Sequence, residues 1–305
     1  MTNVRGPTSE VQGQMIGRTN DNRMTKPNRQ STIDNHQSND QAGLQQLLEK
    51  IYRERGFDFR EYRKSTLTRR IGRRLHATGV VSYEQYAGIL DRRPDEYTKL
   101  FDDLTINVTS FFRDEMAFRA LREVALPALL DGKGGQEKDI RVWSAGCSTG
   151  EEPYSVAILL LEYLRSEAKG CKIRVLGTDV DPKVLDKARN GVFPKADVEG
   201  LGPKRLKRYF SEEREGFRVK RGLRGLVSFE EHSLLADPPC SNQDLVLCRN
   251  VLIYFSATLQ VRVLKHLYKG LRRGGFLLLG KAEVPATGTR RLFQCVDKKA
   301  KLYRK

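Results

Sequence analysis

Cysteine pairs are missing from this chain: Cys147, Cys171, Cys240, Cys248 and Cys295 stand singly, with no C-x-x-C and no Cys/His spacing. An odd set of isolated thiols excludes a disulfide framework and offers no zinc site, so no metal is expected and a reducing cytoplasm is. Long apolar runs are missing too. The longest, Ser155 to Leu164, is broken by Glu162 and falls far short of the roughly 20 residues a membrane helix needs. The amino terminus shows no charged-then-apolar leader, and no internal repeat is visible. Negative charge is scarce: 38 Asp and Glu face 55 Lys and Arg, giving a net charge of +17 and a pI near 9.8. That imbalance asks for a partner with an anionic surface, whether nucleic acid, lipid or an acidic protein face.

What is present suffices for a core, with 39% hydrophobic residues in a chain of 305. Residues 1–40 are rich in Asn, Gln, Ser, Thr and Gly and read as a disordered tail, because such a composition cannot offset its ordering entropy. From Leu44, apolar residues recur every three or four positions, through Leu47, Leu48 and Ile51, then Leu67, Ile71 and Leu75, then Tyr83, Tyr86, Ile89 and Leu90. This spacing predicts a helical domain over 41–106. Beyond it, apolar runs at Ile140 to Trp143, Ile173 to Leu176, Leu226 to Phe229, Asp244 to Cys248 and Phe276 to Leu279 alternate with helical segments. Strands alternating with helices predict an α/β, doubly wound, Rossmann-like domain over 107–305. A charge-dense stretch at about 191–229 interrupts it and predicts a small antiparallel β-subdomain, with Phe217 to Val219 as its clearest strand.

Chemistry concentrates where strands end. After the first strand comes Ala145-Gly-Cys-Ser-Thr-Gly-Glu-Glu-Pro-Tyr-Ser155. Gly146 and Gly150 allow close backbone approach, but the spacing is not G-x-G-x-x-G, which disfavours a dinucleotide. Glu151 and Glu152 would repel a phosphate and suit a ligand carrying an ammonium or sulfonium. The plainer alternative is a tight turn whose carboxylates favour the helix amino end. The second strand ends in Gly177-Thr-Asp-Val-Asp181; Asp179 is placed to accept from both hydroxyls of a ribose, while Asp181 before Pro182 serves as a helix cap. A nucleoside with a cationic tail is S-adenosylmethionine. At Cys248-Arg-Asn-Val-Leu-Ile-Tyr-Phe255 a further strand end brings Arg249, Asn250 and Tyr254 to the same rim, or else contributes core and a surface aromatic. Asp237-Pro-Pro-Cys240 has the two prolines of a base-holding tetrad, yet it lacks the aromatic and precedes its strand, so it reads as a loop. In Thr105 to Arg113, Asn107, Thr109 and Arg113 interleave with apolar residues, consistent with an extended segment showing one polar side or with a helix cap at Ser110 or Asp114. Arg53 to Arg74 holds nine Lys or Arg against Glu54, Asp58 and Glu61. A solvated face is one reading of that run, and a docking surface the other.

Taken in order, these blocks resemble the chemotaxis receptor methyltransferases, the CheR family of protein-glutamate O-methyltransferases. The resemblance runs from Leu44 to the carboxyl terminus. It is carried by the Arg-rich helix, Asn107 to Arg113, Trp143 to Ser155, Gly177-Thr-Asp179, Cys248 to Phe255 and Gly274-Gly-Phe-Leu-Leu-Leu-Gly280. It implies a cytoplasmic, monomeric enzyme that uses S-adenosylmethionine, without a metal, to esterify glutamates on the cytoplasmic helical bundle of chemoreceptors, leaving S-adenosylhomocysteine. It implies cofactor contacts at Asn107, Thr109, Arg113, Gly146, Glu151, Asp179, Ser233, Leu234, Arg249 and Asn250, and chemistry at Arg113 and Tyr254. Arg69, Arg70, Arg73 and Arg74 would meet the acidic bundle. Two departures stand out: Ser233-Leu-Leu235 replaces the family's Asn-Leu-Leu, and Lys281-Ala-Glu283 replaces its His-Ser-Glu. The excursion between Tyr209 and Phe229 is shorter than in members that grip a receptor's terminal pentapeptide, so recognition is expected to be pentapeptide-independent. A nucleic-acid methyltransferase and a non-catalytic adaptor are the rival classes, the first predicting salt-sensitive nucleic-acid binding.

Overall fold

Apolar residues three and four apart build the helices that come first: α1 (Arg29–Arg55), α2 (Lys64–Thr78), α3 (Tyr83–Arg92) and α4 (Pro94–Leu104). Leu47, Leu48, Ile51, Leu67, Ile71, Tyr86, Leu90 and Leu100 close a shared core. Ser82 accepts from the Gln85 amide at the start of α3, and Gly79, at φ 74°, turns the chain out of α2. Left-handed backbone of this kind favours glycine. The computed structural model describes residues 29–105, 107–131, 138–167 and 171–305, and the chain separates into the units Met1–Ala42 and Gly43–Lys305. Of the tail expected at 1–40, residues 1–28 lie outside the described residues, as does Ile106. The first helix starts at Arg29, ahead of the boundary expected at 41. A helix nucleated by apolar packing extends cheaply over polar residues of middling propensity.

The second part of Gly43–Lys305 opens with α5 (Glu115–Ala120), which runs through a π turn into α6 (Leu126–Asp131). There follow β1 (Lys138–Ala145), α7 (Glu151–Glu167), β2 (Cys171–Asp179), α8 (Pro182–Asn190), β3 (Val192–Phe193), α9 (Lys195–Val198), α10 (Gly202–Tyr209), β4 (Phe210–Glu213), β5 (Gly216–Val219) and α11 (Arg221–Arg224). The chain ends with β6 (Val227–Glu231), β7 (Gln243–Cys248), α12 (Ala257–Gly270), β8 (Leu271–Leu279), β9 (Gln294–Asp297) and β10 (Leu302–Arg304). The main sheet has the order β6-β2-β1-β7-β8-β10-β9, parallel from β6 to β8. Antiparallel β10 and β9 extend it, a pair that hydropathy alone did not reveal. The period of two sorts β1 cleanly: Ile140 and Val142 pack with Val156 and Leu160 of α7, whereas Trp143 and Ala145 pack with Leu259 and Val263 of α12. Every residue of β7 is buried, as befits a strand covered on both faces. The expected β-subdomain is a three-stranded antiparallel sheet, β3-β5-β4.

Between β2 and β7 lies β1, so the chain leaves β1 towards one side of the sheet and returns later on the other. That is the switch point, where a crevice opens beyond the strand ends. The helical part is stitched to this rim: Tyr62 bridges Phe255, the Arg63 amide donates to the Tyr254 carbonyl at 2.9 Å, and the Ser256 amide to the Glu61 carbonyl at 3.0 Å.

Candidate active site

At the switch point the β1–α7 corner is held by backbone. The amides of Gly146 and Cys147 both donate to the Thr178 carbonyl, at 2.8 and 2.9 Å. Gly146 has φ 74°, and a Cβ there would stand 2.5 Å from Val251 Cγ2. Beneath the corner the buried Trp143 indole donates to Thr178 Oγ1 at 2.9 Å. The result is a cavity of about 720 Å³ whose wall includes Asn107, Thr109, Arg113, Gly146, Asp179, Ser233, Leu234, Arg249, Asn250 and Tyr254. Residues far apart in the sequence thus share one wall, as the motifs suggested.

Asp179, at the end of β2, accepts from the Ser148 amide at 2.9 Å and the Asp181 amide at 3.1 Å. Burial pushes its carboxyl above the ordinary 3.8, partly offset by those amides. Asp181 caps α8 by accepting from the Lys183 amide, as expected. Its other oxygen receives the Asn107 side-chain amide at 3.4 Å, which ties the 107–114 segment to this corner.

Arg249 is a second charge centre of the cavity lining. It donates to Glu152 at 3.1 Å, to Asp114 at 2.7 Å and to the Arg113 carbonyl at 2.8 Å. Asp114 starts α5 without a capping hydrogen bond, and its carboxylate goes to Arg249 instead. The 107–114 segment is neither a strand nor a side-chain-capped helix start: it folds back at Phe111 and Phe112, with the Arg113 guanidinium on the Val108 carbonyl at 2.9 Å. Packing between the corner and Arg249 bends a stretch whose local pattern allowed an extended form. Arg249 Nε and Asn250 Oδ1 are buried and have no hydrogen-bond partner among the described residues. Polar atoms in that condition on a cavity wall fit a ligand with donors and acceptors of its own.

Three expectations need correction. Glu151 does not line the cavity: its carboxylate accepts from Thr149 Oγ1, at 2.7 and 3.0 Å, and burial raises its pKa. Its neighbour Glu152 does line it, and also accepts from Ser144 Oγ at 2.7 Å. Successive helix positions point about 100° apart, so only one of two adjacent glutamates can face the ligand. Arg70 is not on a docking surface either. It is 1% exposed, donates to the Asp103 and Leu104 carbonyls at 3.1 and 2.6 Å, and lies 5.2 Å from the Tyr254 ring centre. Arg74 is drawn inward onto the buried Glu96 at 2.7 Å. Positions 67, 70, 71 and 74 are one helix face by spacing, and that face packs. Arg69 and Arg73 remain exposed.

Ser233 lines the cavity, but its Oγ accepts from the amides of Leu235 and Ala236, both at 3.2 Å, and so folds its own turn. The Asp237-Pro-Pro-Cys240 segment is irregular, as expected of a loop. Its Asp237 holds the Ser233 amide at 2.7 Å. Sequence reasoning missed Tyr62, Phe57 and Phe59, which bring the helical part onto the same wall; no local pattern marks a residue that reaches a site through tertiary packing alone. Among the described residues no cluster of His, Cys, Asp or Glu is arranged to hold a metal ion, and no helix is long and apolar enough to cross a membrane.

Comparison with known proteins agrees with this geometry. Residues 107–302 match the family model described as CheR methyltransferase, SAM binding domain, and residues 42–105 match CheR methyltransferase, all-alpha domain. The chain is similar to the chemotaxis protein methyltransferase of Borreliella burgdorferi, 32% identical over 79% of this chain and 87% of that protein. It is also similar to chemotaxis protein methyltransferase 2 of Pseudomonas aeruginosa, 36% identical over 79% of this chain and 85% of that protein. An uncharacterized 104.1 kDa protein of Rhodobacter capsulatus is 34% identical over 74% of this chain, which spans 24% of that longer protein.

Proposed function

Because the chain belongs to the CheR methyltransferase family, we propose that this S-adenosylmethionine-dependent methyltransferase esterifies glutamate side chains of chemoreceptors. The observation that carries the reading is the cavity at the sheet's switch point, whose lining brings together Glu152, Asp179, Arg113 and Tyr254. When bound, the cofactor would supply a methyl group on a positively charged sulfur to the acceptor oxygen, the products being a neutral ester and S-adenosylhomocysteine. Asp179 suits the ribose hydroxyls, and Glu152 with Arg249 suits the charged amino-acid end. Arg249 Nε and Asn250 Oδ1 supply the donor and acceptor that a bound nucleoside would satisfy.

A glutamate with a reference pKa of about 4.3 is already ionised at neutral pH, so no general base is needed. Alignment and desolvation are needed. Positioning of that kind lowers a barrier by roughly 7 to 11 kcal/mol. In this reading Arg113 pairs with the incoming carboxylate as it loses water, and Tyr254 fixes its orientation. The exposed Arg69 and Arg73 present positive charge to an acidic receptor bundle. Between β4 and β5 only Arg214 and Glu215 intervene, which supports recognition independent of a receptor's terminal pentapeptide. We place the enzyme in the cytoplasm as a monomer, with neither metal nor nucleic acid.

Incubation with tritiated S-adenosylmethionine and receptor-bearing membranes tests this. Volatile methanol released by mild alkali is the expected result. Label in nucleic acid, or cofactor binding without base-labile label, would overturn it.

A further inference from the structure

Glu283 belongs to the Lys281-Ala-Glu283 tripeptide and has no part in the site described so far. Glu283 is 4% exposed. One oxygen accepts from the amides of Gly280 at 2.7 Å and Asn250 at 3.0 Å; the other accepts from the Ile253 amide at 3.2 Å. The Gly280 amide follows β8, and the other two lie in the turn after β7. The carboxylate therefore clamps two neighbouring strand ends together on the side facing the cavity.

The turn it clamps is not one the chain adopts freely. Asn250 sits at φ 61°, in the left-handed region that asparagine enters more readily than most side chains, though still at some cost. A Cβ on Gly280 would stand 2.7 Å from a Glu283 oxygen and 2.8 Å from the Asn250 nitrogen, so the glycine is what lets the carboxylate reach its amides. From Asn250 the chain enters the short 3-10 helix Leu252–Tyr254. Among the described residues no Lys or Arg forms an ion pair with Glu283. Burial pushes its pKa above the ordinary 4.5, with the backbone hydrogen bonds pulling the other way. An acid buried on neutral amides gives up its hydration without recovering an ion pair. What it gains is geometry at a turn that carries both Asn250 and Tyr254.

We infer that Glu283 is a positioning residue for methyl transfer: its carboxylate latches the 250–253 turn to the end of β8 and thereby holds Tyr254 on the cavity wall. This inference rests on the proposed methyltransferase reaction. A displacement of about 1 Å at a reacting group costs on the order of a hundredfold in rate. Glu283→Gln keeps the size but puts an amide donor against backbone donors, so it should open the latch.

The decisive experiment is a double-mutant cycle with Tyr254→Phe. Base-labile methyl transfer to receptor membranes, affinity for S-adenosylhomocysteine by calorimetry and thermal unfolding are measured for each member. If Glu283 acts through Tyr254, Glu283→Gln lowers kcat/KM by roughly ten- to a hundredfold in the wild-type background but by no more than about twofold in the Tyr254→Phe background. Equal losses in both backgrounds, or no loss, overturn the proposal. Gly280→Ala forces a methyl group into the same latch without changing charge, and the cycle is read with it if Glu283→Gln does not fold. Should both variants unfold, Glu283 is a residue of stability and the positioning role fails. An inactive wild type sinks the functional reading and this one with it; an active wild type with additive losses sinks this one alone.

Discussion

Arg74→Ala separates the inward from the outward arginines of α2. Glu96 is 1% exposed at its side chain and Arg74 17%. One Glu96 oxygen accepts from Arg74 Nε at 2.9 Å, from Arg74 Nη2 at 2.7 Å and from the Tyr86 hydroxyl at 2.9 Å, while the other has no partner among the described residues. Removing the guanidinium leaves a buried carboxylate with one neutral donor. Breaking a buried pair costs about 3 to 5 kcal/mol, and the remaining phenol places this case near the lower end, about 3 kcal/mol. For a protein of this size the thermal midpoint then falls by roughly 5 °C. Arg73 lies 3.4 Å from Asp103 and is 62% exposed, so Arg73→Ala should change stability by less than about 1 kcal/mol. Its effect should fall on receptor affinity and weaken with added salt. Thermal and urea unfolding followed by circular dichroism, alongside receptor co-sedimentation, separates the two. Glu96→Gln in the Arg74→Ala background should restore part of the loss by discharging the stranded acid. An Arg74→Ala protein with a wild-type midpoint and a docking defect equal to that of Arg73→Ala would refute the burial argument.

Three further outcomes follow from the same geometry. Glu152→Gln should weaken calorimetric affinity for S-adenosylmethionine by roughly ten- to a hundredfold, the value of a charge-assisted hydrogen bond of about 1.5 to 3 kcal/mol, whereas Glu151→Gln should change it by less than about threefold; a reversed order would return the cofactor contact to Glu151. Cofactor affinity should fall as pH drops through the pKa of Asp179, at a midpoint above the ordinary 3.8, and Asp179→Asn should remove that limb. Stability of the free protein runs the opposite way for this group: with the folded pKa above the unfolded one, the folded chain holds the proton more tightly, and stability declines as pH rises between the two values. Gly146→Ala should destabilise the protein by about 1 to 3 kcal/mol and weaken cofactor binding, since a side chain at φ 74° is strained and its Cβ meets Val251; a wild-type midpoint with full affinity would contradict the corner's geometry.

Much of the site was legible because its residues cluster at strand ends, and strand ends are marked locally by apolar runs that stop at glycine or acid. Asp179 at the end of β2, Gly146 after β1, and Arg249 and Asn250 after β7 were placed at strand ends in that way, the cofactor roles of Gly146, Arg249 and Asn250 resting on the resemblance, and all line one cavity. The sheet's parallel core was legible from the same alternation, because a strand covered on both faces carries an uninterrupted apolar stretch, as Leu245 to Cys248 of β7 do. Antiparallel β9 and β10 were not. Gln294, Cys295 and Val296 are exposed on an edge strand and carry no period of two.

The sequence by itself determined the order of the main helices and of the parallel strands, and the residue types gathered at the strand ends, because short-range periodicity and turn chemistry are local properties of a chain. Tertiary structure alone decided which of two adjacent glutamates faces the ligand, which arginines of α2 turn inward, and that Glu283 joins two strand ends. Each depends on what a side chain meets across the fold. Composition and spacing describe a residue's neighbours along the chain, whereas burial, charge pairing and backbone strain are set by neighbours in space.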